Sequence, residues 1–159
     1  MTLMKRHTWK SDSEIDTERL GQAIAAVVDP GTTIALIGPL GAGKTRLTRA
    51  ICEALSVDPA AIASPTFILI HEYEGSMPIY HFDFYRLRTS SDLDALGADE
   101  YFSSREGLCL VEWADRARDR LPDAAWTITI EPDPDVENAR VFRIDIPAED
   151  SRFEPPAQR

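Results

Sequence analysis

The chain of 159 residues has only two cysteines, Cys52 and Cys109, each in apolar surroundings and neither in a Cys-x-x-Cys pair. That spacing disfavours a disulfide framework or a thiolate metal site and predicts two buried, reduced thiols. Long apolar runs are absent too: no stretch approaches the roughly 18 residues that a membrane span requires, so no membrane association is expected. The opening residues, MTLMKRHTWKSDSEID, lack the apolar block and small-residue cleavage site of a secretory signal, which points to a cytoplasmic protein. Basic residues are scarce. Seventeen Lys and Arg stand against 27 Asp and Glu, a formal net charge of −10. Direct nucleic-acid binding is disfavoured, because that affinity comes largely from Lys and Arg neutralising phosphates. Any RNA involved is expected to be held by a partner.

What is present reads as one domain over residues 1–146, followed by a polar, Pro-rich tail over 147–159 that is expected to be disordered. Ser13 offers an N-cap with Asp16 three residues on, and Ile15, Leu20, Ile24, Val27 and Val28 follow at roughly helical spacing. The β-branched run TTIALIG stops at glycine. KTRLTRAICEAL then places Leu47, Ile51, Cys52 and Leu55 on one helical face, giving strand, glycine turn, helix. SVDPAAIASPTF reads as a loop into the strand FILIHEY. In IYHFDFYRL, alternation puts Tyr80, Phe82 and Phe84 on one face and Ile79, His81, Asp83 and Tyr85 on the other. A short helix from Ser91 stops at Gly97. The strand LCLVE precedes a polar helix, ADRARDRL, ending near Pro122. WTITIE and RVFRIDI predict an antiparallel pair closing one sheet edge. The expected fold is α/β: a three-layer sandwich with a mostly parallel central sheet and an antiparallel C-terminal strand pair.

GPLGAGKT matches the pattern glycine, four residues, glycine, lysine, then serine or threonine, at Gly38, Gly43, Lys44 and Thr45. Such a match arises by chance in roughly one chain of this length in a few hundred. The glycines let the backbone turn tightly and aim N–H groups at phosphate oxygens, while the following helix adds its positive dipole end. Lys44 is expected to reach the β- and γ-phosphates and Thr45 to bind Mg²⁺ through its hydroxyl. The competing reading is a glycine-rich turn before an ordinary helix.

A bound Mg²⁺ calls for a further anion near Thr45, and both Glu112 and Asp83 qualify. Glu112 ends a wholly apolar run suited to a central parallel strand, where an unpaired acid is costly to bury. Its alternative is an acid capping the next helix. Asp83 lies in an alternating strand with Arg86 three residues on, so a structural Asp–Arg pair competes with a functional role. His81 shares the face of Asp83, with a polar structural role as the simpler reading.

LGAGKT, SPTF, YHFDFYRL, LGADEYF and LVEW stand in an order and spacing that resemble the bacterial TsaE (YjeE) family, with TERLG near the start; the resemblance runs over roughly residues 13–146. That family is the ATPase component of tRNA threonylcarbamoyladenosine biosynthesis. The resemblance implies an ATP-binding P-loop fold, weak ATPase activity, and the partners TsaD and TsaB, which modify the adenosine beside the anticodon in tRNAs reading codons that begin with A. It implies that Leu40, Gly41, Ala42, Gly43, Lys44 and Thr45 hold the phosphates and that Thr45 and Glu112 hold Mg²⁺. Asp83 falls on a second functional acid, reaching the metal or the attacking water, and Trp113 on an aromatic residue beside the metal acid. Thr66, in SPTF, falls on a switch-like threonine near the γ-phosphate, and Ser13 is placed near the nucleotide. Pro39 departs from the family pattern, standing where a small or acidic residue is usual.

On this reading the catalytic residues are Lys44, Asp83 and Glu112, and Arg86 is a further candidate charge stabiliser. One rival is a nucleotide-dependent assembly switch with incidental hydrolysis. Another is a small P-loop kinase, against which stands the lack of a clear Arg-rich lid. A GTPase is disfavoured because no Asn-Lys-x-Asp element exists.

Overall fold

The computed structural model describes residues 2–62, 70–150 and 152–158. The strand β1 (Met4–Ser11) leads into α1 (Glu14–Ala25), whose start is fixed by Ser13: its Oγ accepts from the Asp16 N–H at 3.4 Å, and Asp16 Oδ2 accepts from the Asp12 N–H at 3.0 Å. Side chain and backbone exchange donors there much as in a capping box. Leu20 and Ile24 are fully buried, whereas Ile15 of the expected stripe faces solvent. Then come β2 (Thr33–Ile37), α2 (Lys44–Ala54), β3 (Ile70–Glu74) and β4 (Pro78–Asp83). They are followed by α3 (Asp92–Leu96), α4 (Ala98–Ser103), β5 (Leu108–Glu112), β6 (Trp126–Pro132) and β7 (Arg140–Pro147).

One seven-stranded sheet has the order β1-β7-β6-β2-β5-β4-β3. The inner four strands, β6, β2, β5 and β4, run parallel. The flanks are antiparallel, with β7 on β6, β1 on β7 and β3 on β4. The sheet is therefore mixed rather than mostly parallel. The β6–β7 pair also does not close the edge, because β1 adds outside it from Met4↔Pro147 to Ser11↔Arg140. That strand escapes pattern reading: its only deeply buried side chains are Trp9 and Ser11, so it shows little apolar alternation.

The period-2 alternation of the strands separates two cores. Ile34 and Leu36 of β2, Leu108 and Leu110 of β5 and Ile79 of β4 meet Leu20, Ile24, Leu47 and Ile51 of α1 and α2. Close approach of the two helices needs Gly21, where a Cβ would stand 2.6 Å from that of Ala50. On the opposite face Phe82 and Phe84 pack with Val111, Leu93 and Phe102, an aromatic core that includes a Phe82–Phe102 contact at 5.0 Å between ring centroids. The helix expected over ADRARDRL is instead 3₁₀ from Ala114 to Arg120, broken at Ala117. Ala114 and Ala117 are both buried, and the non-helical backbone of Ala117 (φ −151°, ψ 49°) divides the segment into two short pieces.

The tail differs from its expected disorder. Phe153 is buried and packs edge-on against Trp126 and His7, each at 5.5 Å. The Trp9 indole N–H donates to the Pro156 carbonyl at 2.8 Å, and the Gln158 amide both donates to and accepts from the Lys10 backbone. One aromatic side chain and a few backbone partners anchor a segment whose composition is otherwise polar. Among the described residues no helix is long and apolar enough to cross a membrane.

Candidate functional site

The C-terminal ends of the inner parallel strands and the turn from β2 to α2 converge on one spot. In that turn Gly41 (φ 79°) and Gly43 (φ 110°) take left-handed conformations that glycine adopts without strain, and a Cβ at either would meet nothing within 4 Å. The loop is therefore an open cradle whose shape is set by its backbone. The Ala42 N–H donates to the Pro39 carbonyl at 3.0 Å. Pro39 lacks an N–H but serves here as an acceptor. Leu40 is 82% exposed at the tip. From behind, the Arg140 guanidinium of β7 donates to the Ala42 carbonyl at 3.1 Å and to that of Gly41 at 3.5 Å.

Lys44 begins α2 and is only 4% exposed. Its ammonium donates to the Gly38 carbonyl at 2.5 Å and the Pro39 carbonyl at 2.9 Å, and lies 3.8 Å from the centre of the Trp113 ring. Burial pulls the pKa of Lys44 below its ordinary value, opposed by the negative charges of Glu112, Asp115 and Asp83. Trp113 reaches this position from a left-handed backbone (φ 58°), a conformation costing an aromatic residue about 1–2 kcal/mol. Its ring also stands 4.9 Å from that of Tyr85.

Thr45 and Glu112 meet directly: the Thr45 hydroxyl donates to Glu112 Oε1 at 2.6 Å. Glu112 is 2% exposed, and its Oε2 lies 2.5 Å from His81 Nε2. His81 is wholly buried, with Nδ1 3.2 Å from the Tyr73 hydroxyl. Asp83 is the register partner of Glu112 on the neighbouring strand, so both side chains leave the same sheet face. Its Oδ1 accepts from the Tyr85 N–H at 2.8 Å. Burial raises the pKa of Asp83 above the ordinary carboxylate value; the Tyr85 N–H opposes this and the nearby charge of Glu112 adds to it.

Of the residues singled out in the sequence, Leu40 to Thr45, Glu112 and Asp83 thus lie together. Ser13 lies across a cavity of about 460 Å³, which it lines with Gly41, Gly43, Arg46, Asn138 and Arg140. Thr66 lies outside the described residues. Three contacts are not legible in the sequence: His81 with Glu112, the Lys44 ammonium over Trp113, which the resemblance places only beside the metal acid, and Arg140 behind the loop. His81 had one visible signal, the face it shares with Asp83. Arg140, nearly a hundred residues from the loop it grips, had none.

The donor set suits a hard cation. A hydroxyl and a carboxylate oxygen lie within 3 Å of each other, with a second carboxylate on the next strand. No group of three or more His, Cys, Asp and Glu side chains among the described residues forms a metal cage by itself. The hydroxyl and carboxylate oxygens that are present are donors of the kind Mg²⁺ takes, alongside waters and phosphate oxygens.

Residues 11–141 match the family model described as threonylcarbamoyl adenosine biosynthesis protein TsaE. The chain belongs to the TsaE family. It is 39% identical over 140 residues to the tRNA threonylcarbamoyladenosine biosynthesis protein TsaE of Bacillus subtilis, covering 87% of this chain and 86% of that one. The protein of the same name from Haemophilus influenzae is 34% identical, covering 81% and 84%. The crystal structure of Bacillus subtilis YdiB superposes with a TM-score of 0.75 at 33% identity, covering 94% of this chain and 90% of the other. As a TsaE-family chain it shares its fold with that structure over nearly its whole length.

Proposed function

We propose that this chain binds ATP with Mg²⁺ at the β2–α2 loop and hydrolyses it slowly to support threonylcarbamoylation of the adenosine beside the anticodon in tRNA. It would act together with TsaD and TsaB, which would hold the tRNA. The observation that carries the reading is the 2.6 Å contact between the Thr45 hydroxyl and Glu112, beside Lys44 and the open glycine loop. Family membership supports the pathway; the geometry supports the chemistry.

The loop's backbone N–H groups, together with the N-terminus of α2, provide partial positive charge for phosphate oxygens. Lys44 is held over Trp113 and ready to exchange its two carbonyl acceptors for phosphate, with the ring retaining the ammonium during the exchange. Thr45 and Glu112 would hold the metal, which neutralises developing charge on the transferring phosphoryl group. Asp83, facing the same space with a raised pKa, would orient the attacking water. The cavity lined by Ser13, Asn138 and Arg140 continues from the loop and has room for the nucleoside. With a net charge of −10, the chain is suited to a protein partner with basic surface rather than to RNA itself.

The test is reconstituted tRNA modification. Lys44→Ala and Glu112→Ala should each abolish multiple turnovers, and normal modification by either would refute the assignment. A non-hydrolysable ATP analogue should permit assembly and stall after one round. If it sustained many rounds, the chain would be a nucleotide switch rather than an ATPase.

A further inference from the structure

Glu112 closes β5 inside the protein, and a buried carboxylate is tolerable only when its oxygens have donors. Oε1 takes the Thr45 hydroxyl. Oε2 faces His81 Nε2 at 2.5 Å, and His81 Nδ1 faces the Tyr73 hydroxyl at 3.2 Å. Tyr73 is buried in turn, and its ring stacks on His71 at 6.0 Å with the planes 13° apart. Four side chains on β3, β4, β5 and α2 thus form one file. It runs without a break when the Tyr73 hydroxyl donates to a bare Nδ1, the Nε2–H donates to Oε2, and the Thr45 hydroxyl donates to Oε1.

We propose that His81 is a positioning residue for Glu112, held as the Nε2–H tautomer between the Glu112 carboxylate and the Tyr73 hydroxyl, so that Oε1 is presented to Thr45 and to a divalent cation. The inference rests on the reading of Thr45 and Glu112 as the metal pair. Fixing a ligand through its second oxygen matters because a glutamate side chain has several rotamers, and the one observed aims Oε1 at the start of α2. The register supports the same role. His81 is paired with Leu110, two residues before Glu112 on the adjacent parallel strand, so its ring leaves the same sheet face and leans along the strand toward the acid.

Two amide substitutions separate positioning from mere filling. In His81→Gln the side-chain N–H₂ can reach the place of Nε2; in His81→Asn it reaches only the place of Nδ1. With Mn²⁺ alone as the probe and electron paramagnetic resonance as the readout, His81→Gln should bind within about 3-fold of the parent chain, and His81→Asn should lose about 10- to 100-fold. Tyr73→Phe removes one oxygen and should weaken binding by a smaller factor. In the parent chain, two-bond ¹H–¹⁵N spectra should show His81 protonated at Nε2 and bare at Nδ1. Equal Mn²⁺ affinity for the Gln and Asn variants would overturn the inference, and so would an Nδ1–H tautomer. Tyr73→Phe binding like the parent would remove Tyr73 from that arrangement. If the parent chain bound no Mn²⁺, the metal-pair reading itself would fail, while the spectrum would still decide the hydrogen-bond file. Should either His81 variant fail to fold, Tyr73→Phe and the spectrum remain.

Discussion

The two faces of the central sheet are built from the same strands and do opposite work. On the aromatic face Phe82, Phe84 and Phe102 pack with Val111 and Leu93, and no charged side chain is buried there among the described residues. On the face covered by α1 and α2, an apolar floor of Ile34, Leu36 and Leu110 continues directly into His81, Glu112 and Lys44. A single strand shows the division: β4 sends Phe82 one way and His81 and Asp83 the other. Both faces bury an apolar cluster, but only the α1/α2 face also buries charged side chains among the described residues. His81, Glu112 and Lys44 each have hydrogen-bond partners there, and an apolar surround keeps solvent from competing with those partners.

Substitutions on the two faces should therefore fail in different ways. Lys44→Ala and Glu112→Ala should lower modification turnover by about 100-fold or more, as expected for groups that meet charge at the reacting centre, with the fold retained. Circular dichroism alongside the turnover assay would check both halves of that statement. Phe82→Ala, on the other face, should cost about 3–5 kcal/mol of stability in denaturant titration, and the fraction that stays folded should still bind nucleotide. Trp113→Leu should weaken nucleotide binding by the equivalent of about 0.5–2 kcal/mol, the range of a cation–π contact, as measured by calorimetry.

The smallest effect concerns Asp83. Its pKa is raised on folding above the unfolded value, so its favourable contribution is fully present below the ordinary carboxylate range and is lost as pH rises through the shifted value. Asp83→Asn keeps an acceptor for the Tyr85 N–H and removes that loss. Its melting temperature at pH 7 should equal or slightly exceed that of the parent, with any excess vanishing on acidification, while hydrolysis falls. A variant less stable than the parent at pH 7 would mean that the ionised carboxylate is held more favourably than its burial implies. The thiols are a control that belongs to neither face's chemistry. Burial pushes Cys52 and Cys109 up to about 12, so neither should react with alkylating reagents at pH 8 until the chain unfolds.

Those contrasts also show which parts of the molecule could be read in advance. The strand, glycine turn and helix around Lys44 are legible because glycine, lysine and threonine at fixed offsets are a local solution to a local problem. The alternation of β4 is legible for the same reason, and it correctly put Phe82 and His81 on opposite faces. What escaped depends on distant partners. β1 exists because β7 offers it an edge, and its own residues carry no apolar period. Phe153 binds the tail through Trp126 and His7, which composition alone could not reveal. His81 became the partner of Glu112 only once the parallel register of β4 on β5 was fixed, since nothing in YHFD names the strand beside it.

Whether Thr45 and Glu112 form a metal pair at a nucleotide loop, as proposed, is decided by a crystal structure with Mg²⁺ and a non-hydrolysable ATP analogue. Thr45 Oγ1 should lie at about 2.0–2.1 Å from the metal, with Glu112 Oε1 turned from the hydroxyl to the cation or to one of its waters. A metal bound elsewhere, with the contact between the Thr45 hydroxyl and Glu112 unchanged, would rule out the metal pair.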